Sequence, residues 1–426
     1  MAKFVVLGGA GAMGKVIVRD LYESDKNNQI IVADYNLDAA KKLAASYQKS
    51  NKNSDNNRTS RVKAAFADVT DIKKTVKLLK GASVVINSVQ YELNLKVMEA
   101  ALLARVHYLD LGGLFHVTRK QLRLHSRFKK ANLLAILGMG AAPGLTNVMA
   151  KYGSEILDKI HEVKIRIGGK DLTETTSKLI KDVNKKIADS PLMFSYSPQT
   201  ILEEHTYKPM VFTHGKFVEV KPRSGKEAIN FPKPVGKRTA IYTLHSEVAT
   251  LPLTLKKKGV KEVSFKISFP DEFEQKLDEL IDLGLASREK IKIGGQEIVP
   301  FNFLVKMLNK LPKSNVCPND VEMVRVELVG ERNKNKIRSK DKKNRSEKKN
   351  KRDRLIIDAW FRSNKTWCAG AGDIDTAAPP SIVAQMIAND KIKARGCLAP
   401  ESCVNADDLF NELKKRGMKL KVNWKK

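Results

Sequence analysis

Cysteine is scarce in this chain of 426 residues, which contains four cysteines and no C-x-x-C pair. A long chain without closely spaced cysteines is typical of a reducing compartment, where disulfides are rare. We therefore expect a cytoplasmic protein in which all four cysteines are free thiols. The four are Cys317, Cys368, Cys397 and Cys403.

Histidine is also infrequent, with seven residues scattered along the chain and no pair at the helical ligand spacing of an H-E-x-x-H motif. Zinc sites are built from histidine, cysteine and carboxylate ligands at short, recognisable spacings. Neither the histidines nor the cysteines show such spacings, so the sequence predicts no metal site.

Long apolar runs are missing as well. A membrane-spanning helix needs ~18 or more consecutive apolar residues, whereas the longest candidate, residues 133–145, is broken by glycines and by Pro143. Residues 1–18 combine a basic residue with an apolar run, but glycines interrupt that run and no small-residue cleavage site follows it. We therefore expect neither a secretion signal nor a membrane contact.

Acidic residues are few relative to basic ones, with 47 Asp and Glu against 78 Lys and Arg and a formal net charge of +31. Residues 331–354 concentrate 13 basic and 4 acidic residues in a low-complexity stretch without any aromatic side chain. Such a stretch offers no stacking surface for single-stranded nucleic acid. We favour a solvated insertion, and an electrostatic tether to nucleic acid or acidic lipid is the alternative. A second polar stretch, 47–61, predicts another surface loop.

Six short apolar stretches in the first 150 residues alternate with amphipathic helical patterns. This alternation predicts an α/β fold of the Rossmann type, a doubly wound parallel sheet with helices on both faces. The predicted strands are residues 3–8, 29–34, 63–69, 82–88, 106–113 and 132–140.

Later strands alternate apolar and charged residues, which is typical of a mostly antiparallel sheet with one face against helices. We therefore expect a mixed α+β second domain, with 331–354 in the connection between two of its strands. These strands are 161–168, 262–269, 321–330 and 354–361. The chain ends with predicted helices at 378–390, whose prolines fit a first helical turn, and at 405–417, with Asn405 as N-cap.

The stretch GGAGAMG at residues 8–14 follows the first predicted strand and opens the first predicted helix. In this context Gly9, Gly11 and Gly14 form the dinucleotide-binding fingerprint. Gly9 allows the tight turn, Gly11 lets the backbone approach a pyrophosphate, and Gly14 lets the helix pack closely on the strand. The backbone of Ala12 and Met13 at the start of the helix completes the predicted phosphate site.

Asp34 ends the second predicted strand and bears on the identity of the cofactor. A carboxylate there accepts hydrogen bonds from ribose hydroxyls and repels a 2′-phosphate, which favours NAD over NADP. Tyr35 and Asn36 follow it, rather than the arginine that commonly grips that phosphate. NADP stays the alternative because basic side chains from elsewhere can reach the site. Asp68 and Val69, after the third strand, are the predicted neighbours of adenine.

Ligands of an open parallel sheet bind beyond the carboxyl ends of its strands. Asn87 and Ser88 end the fourth predicted strand, and we assign both to the cofactor site. Ser88, Tyr91 and Asp110 are candidate substrate-binding residues, with Asp110 also a candidate proton-transfer group. A turn-capping role for Asp110 and an ordinary loop hydroxyl for Ser88 are the alternatives.

The stretch YTLHSEVATLP, residues 242–252, places polar and titratable groups inside an otherwise apolar run. Tyr242, His245 and Glu247 are therefore candidate substrate-binding residues. His245 is a candidate general acid or base, or a partner for a carboxylate. A structural histidine with satisfied hydrogen bonds is the alternative.

These motifs together resemble the saccharopine dehydrogenase-like family, in particular the branch of saccharopine reductases and lysine 6-dehydrogenases. The resemblance covers nearly the whole chain outside the two polar stretches. It rests on VVLGGAGAMG (5–14), SVQYELNLKVMEAAL (88–102), HYLDLGG (107–113), GMGAAPGLTNVMA (138–150), YTLHSEVATLP (242–252) and DTAAPPSIVAQMIANDKIKARGCLAPE (375–401).

The resemblance implies a Rossmann domain over 1–150, a substrate-binding and dimerisation domain over 151–365, and a C-terminal segment, 366–426, that packs back on the first domain. It implies NAD(P)-dependent oxidation of a C–N bond in an amino acid such as lysine or saccharopine, or reduction of the matching imine, by a homodimer. Ser88 and Asp110 would then face the substrate near the nicotinamide, opposite a wall formed by 242–252.

Two other functions stay open. A polyamine-pathway reductase of the carboxynorspermidine type fits the same fold, although a basic exterior suits a polycationic substrate poorly. A non-catalytic cofactor-binding protein associated with nucleic acid through 331–354 is the second. The complete fingerprint, Asp110 and His245 argue against the latter.

Overall fold

The computed structural model describes residues 1–49, 61–172, 194, 196–311, 316–332 and 353–425. Most of the two predicted polar loops, residues 50–60 and 333–352, lies outside these residues. No helix in the described parts of the chain is long and apolar enough to cross a membrane.

The first sheet contains seven parallel strands, and the six strands predicted from the first 150 residues are all confirmed. They are β1 (Lys3–Leu7), β2 (Gln29–Asp34), β3 (Val62–Phe66), β4 (Val84–Asn87), β5 (His107–Asp110), β6 (Leu134–Ile136) and β17 (Gly396–Leu398). Their order is β17–β6–β5–β4–β1–β2–β3, so the direction of winding reverses between β1 and β4. The carboxyl edge at that reversal is where ligands of this fold bind.

Helices cover both faces of this sheet, as predicted for a doubly wound fold. They are α1 (Ala12–Ser24), α2 (Leu37–Lys49), α3 (Ile72–Leu79), α4 (Asn94–Ala104), α5 (Leu114–Leu122) and α6 (His125–Lys130). Local signals explain their bounds: the Asp71 side chain accepts the N–H of Lys74 at the start of α3, and Gly81 follows its end with φ of 73°. A seventh helix, α7 (Leu145–Ile156), leads into the second domain.

The second sheet has nine strands and is mixed. They are β7 (Leu157–Asp171), β8 (Met210–Thr213), β9 (Lys216–Glu219), β10 (Glu227–Asn230), β11 (Lys237–Tyr242), β12 (Glu262–Ile267), β15 (Asp320–Arg332), β16 (Asp353–Arg362) and β18 (Lys419–Lys425). The main order is β10–β11–β12–β7–β15–β16–β18, and β8 pairs with both β12 and β9. All of these pairs are antiparallel except β7 with β12.

Further elements of the second domain pack around this sheet. They are the hairpin of β13 (Ile291–Ile293) and β14 (Gln296–Ile298) and the helices α8 (Pro198–Thr206), α9 (Glu247–Thr254), α10 (Asp271–Asp282) and α11 (Pro300–Leu308). Buried residues of one sheet face, including Ile165, Phe265 and Val326, belong to the same apolar core as Val6 and Ile17 of the first domain. One continuous core therefore joins the two sheets.

The C-terminal segment consists of α12 (Ala371–Ala388), β17, α13 (Ala406–Lys415) and β18. Asn405 caps α13 as predicted, since its side chain accepts the N–H of Asp408. The predicted start of the preceding helix is wrong. Asp373 accepts the N–H of Gly370 and starts α12 early, which places Pro379 and Pro380 in the helix interior.

The expectation of four free thiols is wrong for two cysteines. Cys317 and Cys368 form a disulfide with their Cα atoms 4.8 Å apart, although 51 residues separate them in sequence. Cys317 precedes β15 and Cys368 follows β16, and the antiparallel pairing of these strands brings the two segments together. Cys397 and Cys403 are free, as expected.

Candidate functional site

The glycine loop connects β1 to α1 at the carboxyl edge of the first sheet. A Cβ atom on Gly14 would lie 2.2 Å from the backbone oxygen of Gly8, and one on Gly9 would lie 2.8 Å from the oxygen of Val6. Gly11 is exposed, caps the start of α1 with extended backbone angles, and has its nearest such neighbour at 3.1 Å. The loop is thus tightly packed behind Gly9 and Gly14 and open at Gly11, where a pyrophosphate would meet the helix start.

Asp34 ends β2 beside this loop. One carboxylate oxygen accepts the N–H of Ala10 at 3.0 Å and the other accepts the N–H of Asn36 at 2.9 Å. Tyr35 and Phe66 follow on neighbouring strand ends, with 73% and 49% of their surface exposed and ring centroids 5.6 Å apart. Exposed aromatic rings next to this carboxylate offer a stacking surface for a planar ring such as adenine. Our sequence interpretation used Tyr35 only to note that no arginine follows Asp34, and it did not use Phe66, which lies inside the predicted third strand.

Asp68 and Val69, the predicted adenine neighbours, lie after β3. The Asp68 carboxylate accepts both the N–H and the hydroxyl of Thr70, and these hydrogen bonds lower the pKa of Asp68. Val69 is buried in the apolar core. Both residues shape the turn at this edge, and their contact with adenine stays a prediction.

Ser88 lies directly against the glycine loop. Its hydroxyl donates to the backbone oxygen of Leu7 at 2.7 Å, and a Cβ on Gly8 would lie 2.9 Å from the backbone oxygen of Ser88. Asn87 is 1% exposed behind it, and its amide donates to Asn94 at 2.8 Å. The two assigned residues therefore flank the loop, Ser88 in contact with it and Asn87 in the interior.

Asp110 lies at the end of β5 and is 1% exposed. One oxygen accepts the N–H groups of Gly112 and Gly138, at 3.0 and 2.6 Å. The other accepts from the Tyr108 hydroxyl at 2.8 Å and the Gln121 amide at 2.6 Å. Burial raises the pKa of Asp110, and these hydrogen bonds oppose the rise. The geometry favours the alternative role in turn capping, because the carboxylate fixes two loops of the cleft.

His245 precedes α9 on the opposite wall. Its Nδ1–H donates to Glu247 at 2.5 Å, its Nε2 lies 3.8 Å from a Glu204 oxygen, and its ring stacks on Phe265 with centroids 3.7 Å apart. The second Glu247 oxygen accepts the hydroxyl of Thr146, in α7, at 3.0 Å. Burial lowers the pKa of His245, but the charges of Glu247 and Glu204 outweigh it and raise the net value. His245 and Glu247 are thus brought together as a buried ion pair.

Tyr91 connects the two walls of the cleft. Its hydroxyl donates to Glu203 of α8 at 2.7 Å, and the other Glu203 oxygen accepts from Arg288 at 2.5 Å. Beside it, the Gln199 amide donates to Glu92 at 2.6 Å. Burial and the hydrogen bond to Glu203 raise the pKa of Tyr91 far above its ordinary value, so the hydroxyl stays a donor.

Tyr242 is not brought to this cleft. It pairs with Lys266 across β11 and β12, and the Lys266 ammonium lies 4.4 Å from the centre of its ring. Successive side chains of a strand point to opposite faces, so Tyr242 lies on the face away from Phe265 and His245. Its predicted contact with the substrate has no support in this geometry.

Comparison with known proteins accounts for almost all of the chain. Residues 4–136 match the model of the saccharopine dehydrogenase NADP binding domain, and residues 140–418 match that of the saccharopine dehydrogenase C-terminal domain. The chain belongs to the saccharopine dehydrogenase family. The family is one of oxidoreductases, and residues 4–136 form its domain for binding a nicotinamide dinucleotide.

Two similar proteins are named after carboxyaminopropylagmatine and carboxynorspermidine. Carboxyaminopropylagmatine dehydrogenase of Synechocystis is 27% identical over 318 residues, which cover 72% of each chain. Carboxynorspermidine synthase of Vibrio cholerae is 26% identical over 321 residues, 70% of this chain and 71% of that one. The fold matches apo saccharopine dehydrogenase (L-Glu forming) of Saccharomyces cerevisiae over the full length of both chains, with a TM-score of 0.69 and 17% identity.

Several polar residues of this saccharopine dehydrogenase family cleft were missed from the sequence. Glu203 and Glu204 are adjacent in α8 and only 1% and 2% exposed, yet they contact different partners. Tyr196 donates to Glu204 at 2.5 Å, which places it beside His245 as well. The available signal was a pair of acidic residues next to the apolar Ile201 and Leu202 in a short helix.

Four more carboxylates gather at the start of α12, and we call them the α12 carboxylate cluster. Its members are Asp320, Glu322, Asp373 and Asp375. Asp320 accepts the N–H of Ala371 at 2.8 Å and Asp373 that of Gly370 at 2.9 Å. No three or more His, Cys, Asp or Glu side chains among the described residues are arranged to hold a metal ion.

Proposed function

We propose that this protein oxidises, with a nicotinamide cofactor, the C–N bond of a secondary amine that carries a carboxylate and further cationic groups, or reduces the matching imine. The observation that carries the proposal is an excess of buried carboxylate over cation in the cleft wall. Glu203, Glu204 and Glu247 are at most 2% exposed and share one histidine and one arginine as their ion-pair partners among the described residues.

The α12 carboxylate cluster adds four acidic groups without an ion-pair partner in the described parts of the chain. In their ionised form these carboxylates concentrate cationic ligands and repel anionic ones, and a bound cation favours that form. The basic exterior of the protein argues against a polycationic substrate. The carboxylates of the cleft wall argue for one, and we give them more weight because they lie where the substrate would bind. Carboxynorspermidine and carboxyaminopropylagmatine, the compounds in the relatives' names, combine a carboxylate with a polyamine chain. Lysine and saccharopine are the second candidates.

The residues present fit a nicotinamide dinucleotide, which supplies hydride transfer when bound. The open side of the loop at Gly11 would receive the pyrophosphate, and Asp34 would accept the ribose hydroxyls. Tyr35 and Phe66 would flank the adenine. Because Asp34 already faces the loop as a hydrogen-bonded carboxylate, we propose a preference for NAD over NADP.

His245 is the residue that we propose to hold or move the proton of the substrate nitrogen. The Nδ1–H of His245 donates a hydrogen bond to Glu247, so Nε2 is the ring nitrogen that is available to the substrate. Glu247 is in turn fixed by Thr146, which keeps the imidazole in one orientation. Asp110 has a different role, because it holds the backbone at Gly112 and Gly138, in the loops that position the reacting groups.

A substrate panel tests the proposal directly. Purified protein is mixed with NAD or NADP and with carboxynorspermidine, carboxyaminopropylagmatine, saccharopine or lysine, and the absorbance of reduced nicotinamide is followed. We expect turnover with a carboxylated polyamine and a higher kcat/KM with NAD than with NADP. Turnover with saccharopine or lysine alone would instead support the second candidates.

Substitution of His245 tests whether this residue takes part in the proposed reaction. We expect His245→Gln to lower kcat by about 100-fold or more, the usual contribution of a positioned general acid or base. His116→Gln is the matched control, since His116 lies exposed on α5. An unchanged kcat in His245→Gln would remove His245 from proton transfer.

We also propose that the protein is cytoplasmic and forms a homodimer. Sedimentation at several protein concentrations tests the dimer.

A salt-sensitive mobility shift with RNA, abolished by deletion of 331–354, would support the nucleic-acid alternative. Absence of both cofactor binding and turnover alongside such a shift would overturn the enzyme proposal.

A further inference from the structure

The α12 carboxylate cluster borders the same cleft as His245. The Thr376 methyl group would lie 3.4 Å from a Cβ on Gly140, in the loop between β6 and α7. Burial and then the charge of Glu204 raise the pKa of Tyr196, and the charge of Glu322 contributes to the rise. Tyr196 is therefore close enough to both the His245 group and the cluster to feel the charge of each.

Asp375 is the least satisfied member of the cluster. It is 0% exposed, its Oδ1 accepts the hydroxyl of Thr376 at 3.2 Å, and its Oδ2 has no hydrogen-bond partner among the described residues. Burial and then the charge of Glu322 raise the pKa of Asp375 well above its ordinary value. Buried polar atoms in folded proteins almost always have partners, because leaving one unpaired is energetically unfavourable. The Oδ2 atom marks a place where a donor is missing.

The prolines of α12 add two acceptors at the same place. In a helix, the N–H of residue i bonds to the carbonyl of residue i−4, and proline has no N–H. Pro379 and Pro380 therefore cannot donate to the carbonyls of Asp375 and Thr376. One of these carbonyls belongs to Asp375 itself, whose carboxylate is unpaired, and the other belongs to the next residue, Thr376.

Glu322 forms the accessible side of the cluster. It is partly exposed, and its carboxylate packs against Gly372, where a Cβ would lie 2.5 Å from its Oε2. Burial, with the charges of Asp320 and Asp373, raises the pKa of Glu322 to about 7. A cation that reached this carboxylate would favour its ionised form.

The arrangement suits an organic cation better than a metal ion. A metal requires several ligand atoms that converge on one point, and no such group occurs in the described parts of the chain. A primary ammonium instead has three N–H donors that point in different directions. Acceptors spread over the carboxylates and carbonyls at Glu322, Asp375 and Thr376 can satisfy it.

We infer that the α12 carboxylate cluster is a subsite for the distal primary ammonium group of the substrate, remote from the C–N bond that reacts. The inference rests on the proposed function and narrows its substrate class to amines with a second, terminal cation. Asp375 and Glu322 supply carboxylates that a bound ammonium would hold in the ionised form. The carbonyls of Asp375 and Thr376, to which Pro379 and Pro380 cannot donate, complete the acceptors.

Calorimetric titration with spermidine tests the subsite on the full-length protein saturated with NAD. We expect Glu322→Gln and Asp375→Asn each to weaken binding by about 10-fold or more, the loss of one hydrogen bond to a charged group. The matched control is Glu331→Gln, since Glu331 lies on the same strand, half exposed and paired with Lys159. The spermidine affinity of this control should equal that of the unaltered protein.

The pH dependence separates the subsite from general attraction to an acidic protein. Since the pKa of Glu322 is about 7, spermidine binding should strengthen as the pH rises through that value and Glu322 ionises. The dependence should be reduced in Glu322→Gln. Circular dichroism confirms that each variant is folded, and the partly exposed Glu322 provides the test if Asp375→Asn does not fold.

The outcomes distinguish this inference from the proposed function. Unchanged spermidine affinity in folded Glu322→Gln, or an equal loss in Glu331→Gln, overturns the subsite. If carboxynorspermidine is oxidised with the same KM by the variants, the subsite is wrong and the function stands. If spermidine binds as expected but no compound of the panel is oxidised, the function is wrong and the cation site stands.

Discussion

Two glycines of the nucleotide loop have different roles, and substituting each by alanine separates them. At Gly14 a methyl group would lie 2.2 Å from the backbone oxygen of Gly8 and 2.7 Å from the Cα of Gly9. A carbon–oxygen contact needs roughly 3.2 Å, so the loop or α1 must shift by about 1 Å. The obstructing atoms belong to backbone and cannot rotate away.

The expected cost in stability follows from two opposing terms. Alanine gains about 1 kcal/mol over glycine as a helix residue, whereas overpacking costs about 1–3 kcal/mol and more when backbone must move. We expect Gly14→Ala to lower the free energy of unfolding by about 2 kcal/mol. Gly11 has φ of −70° and ψ of 176°, which alanine adopts freely, and its one close contact is 3.1 Å from the added Cβ to the backbone oxygen of Gly8. A shift of a few tenths of an ångström relieves that contact, so Gly11→Ala should cost under about 1 kcal/mol.

NADH binding should be affected differently, because Gly11→Ala should weaken it more than its small loss of stability would suggest. The methyl group of Gly11→Ala would occupy the open side of the loop, and we expect NADH affinity to fall by about 10-fold, the equivalent of one or two lost phosphate contacts. Urea unfolding and NADH fluorescence titration measure the two quantities. A Gly14→Ala protein with an unchanged urea midpoint would refute the packing argument, and unchanged NADH affinity in Gly11→Ala would refute the pyrophosphate assignment.

The remaining predictions concern specificity, the cleft scaffold, the disulfide and pH. Asp34→Ala should bring the kcat/KM values for NAD and NADP closer together, because it removes the carboxylate that repels a 2′-phosphate. Asp110→Asn should lower the free energy of unfolding by about 1–3 kcal/mol, because an amide cannot accept from every donor that faces it; urea unfolding measures this loss. Replacing Cys317 and Cys368 by serine should cost about 2–4 kcal/mol, measured by unfolding with and without reductant. Glu322 has a folded pKa of about 7 against an ordinary value of 4.5, so the folded state binds its proton more tightly. Its contribution to stability is complete below the lower value and is lost as the pH rises through the higher one; in Glu322→Gln the unfolding free energy should fall less across this window.

Each of these expectations has a contrary result. An unchanged cofactor ratio would remove Asp34 from the ribose site. A folded Asp110→Asn protein with normal stability and no turnover would return Asp110 to the catalytic role predicted from the sequence. Equal stability of the serine variants and the oxidised protein would show that the disulfide has no structural effect. An identical pH dependence of stability in Glu322→Gln would contradict the raised pKa.

The sequence predicts best those features of the structure that are determined by residues close together in the chain. The glycine fingerprint, the six strands of the first sheet and the Asn405 cap each depend on a few consecutive residues. β17 was missed because no apolar run surrounds its three residues, whereas the equally short β6 lies within the apolar run at 133–137. The early start of α12 was missed because its cap depends on Asp373, which lies before the expected start at Ala378.

The candidate site was predictable on one wall and not on the other. Ser88 follows from the rule that ligands bind at the carboxyl edge of a parallel sheet. Glu203, Glu204 and Glu322 instead come from segments far apart in the chain, which no local pattern connects. Tyr242 shows the converse error, since it is close to His245 in sequence but the alternation of β11 and β12 turns it to the other face.

The C-terminal segment has a consequence for how the chain acquires its structure during synthesis. β17 completes one edge of the first sheet and β18 completes one edge of the second, with α12 between the two sheets. Neither sheet has its full set of strands until residues 396–425 have left the ribosome. A ribosome that stalls after residue 365 would therefore release two incomplete sheets with exposed edges, which are templates for aggregation.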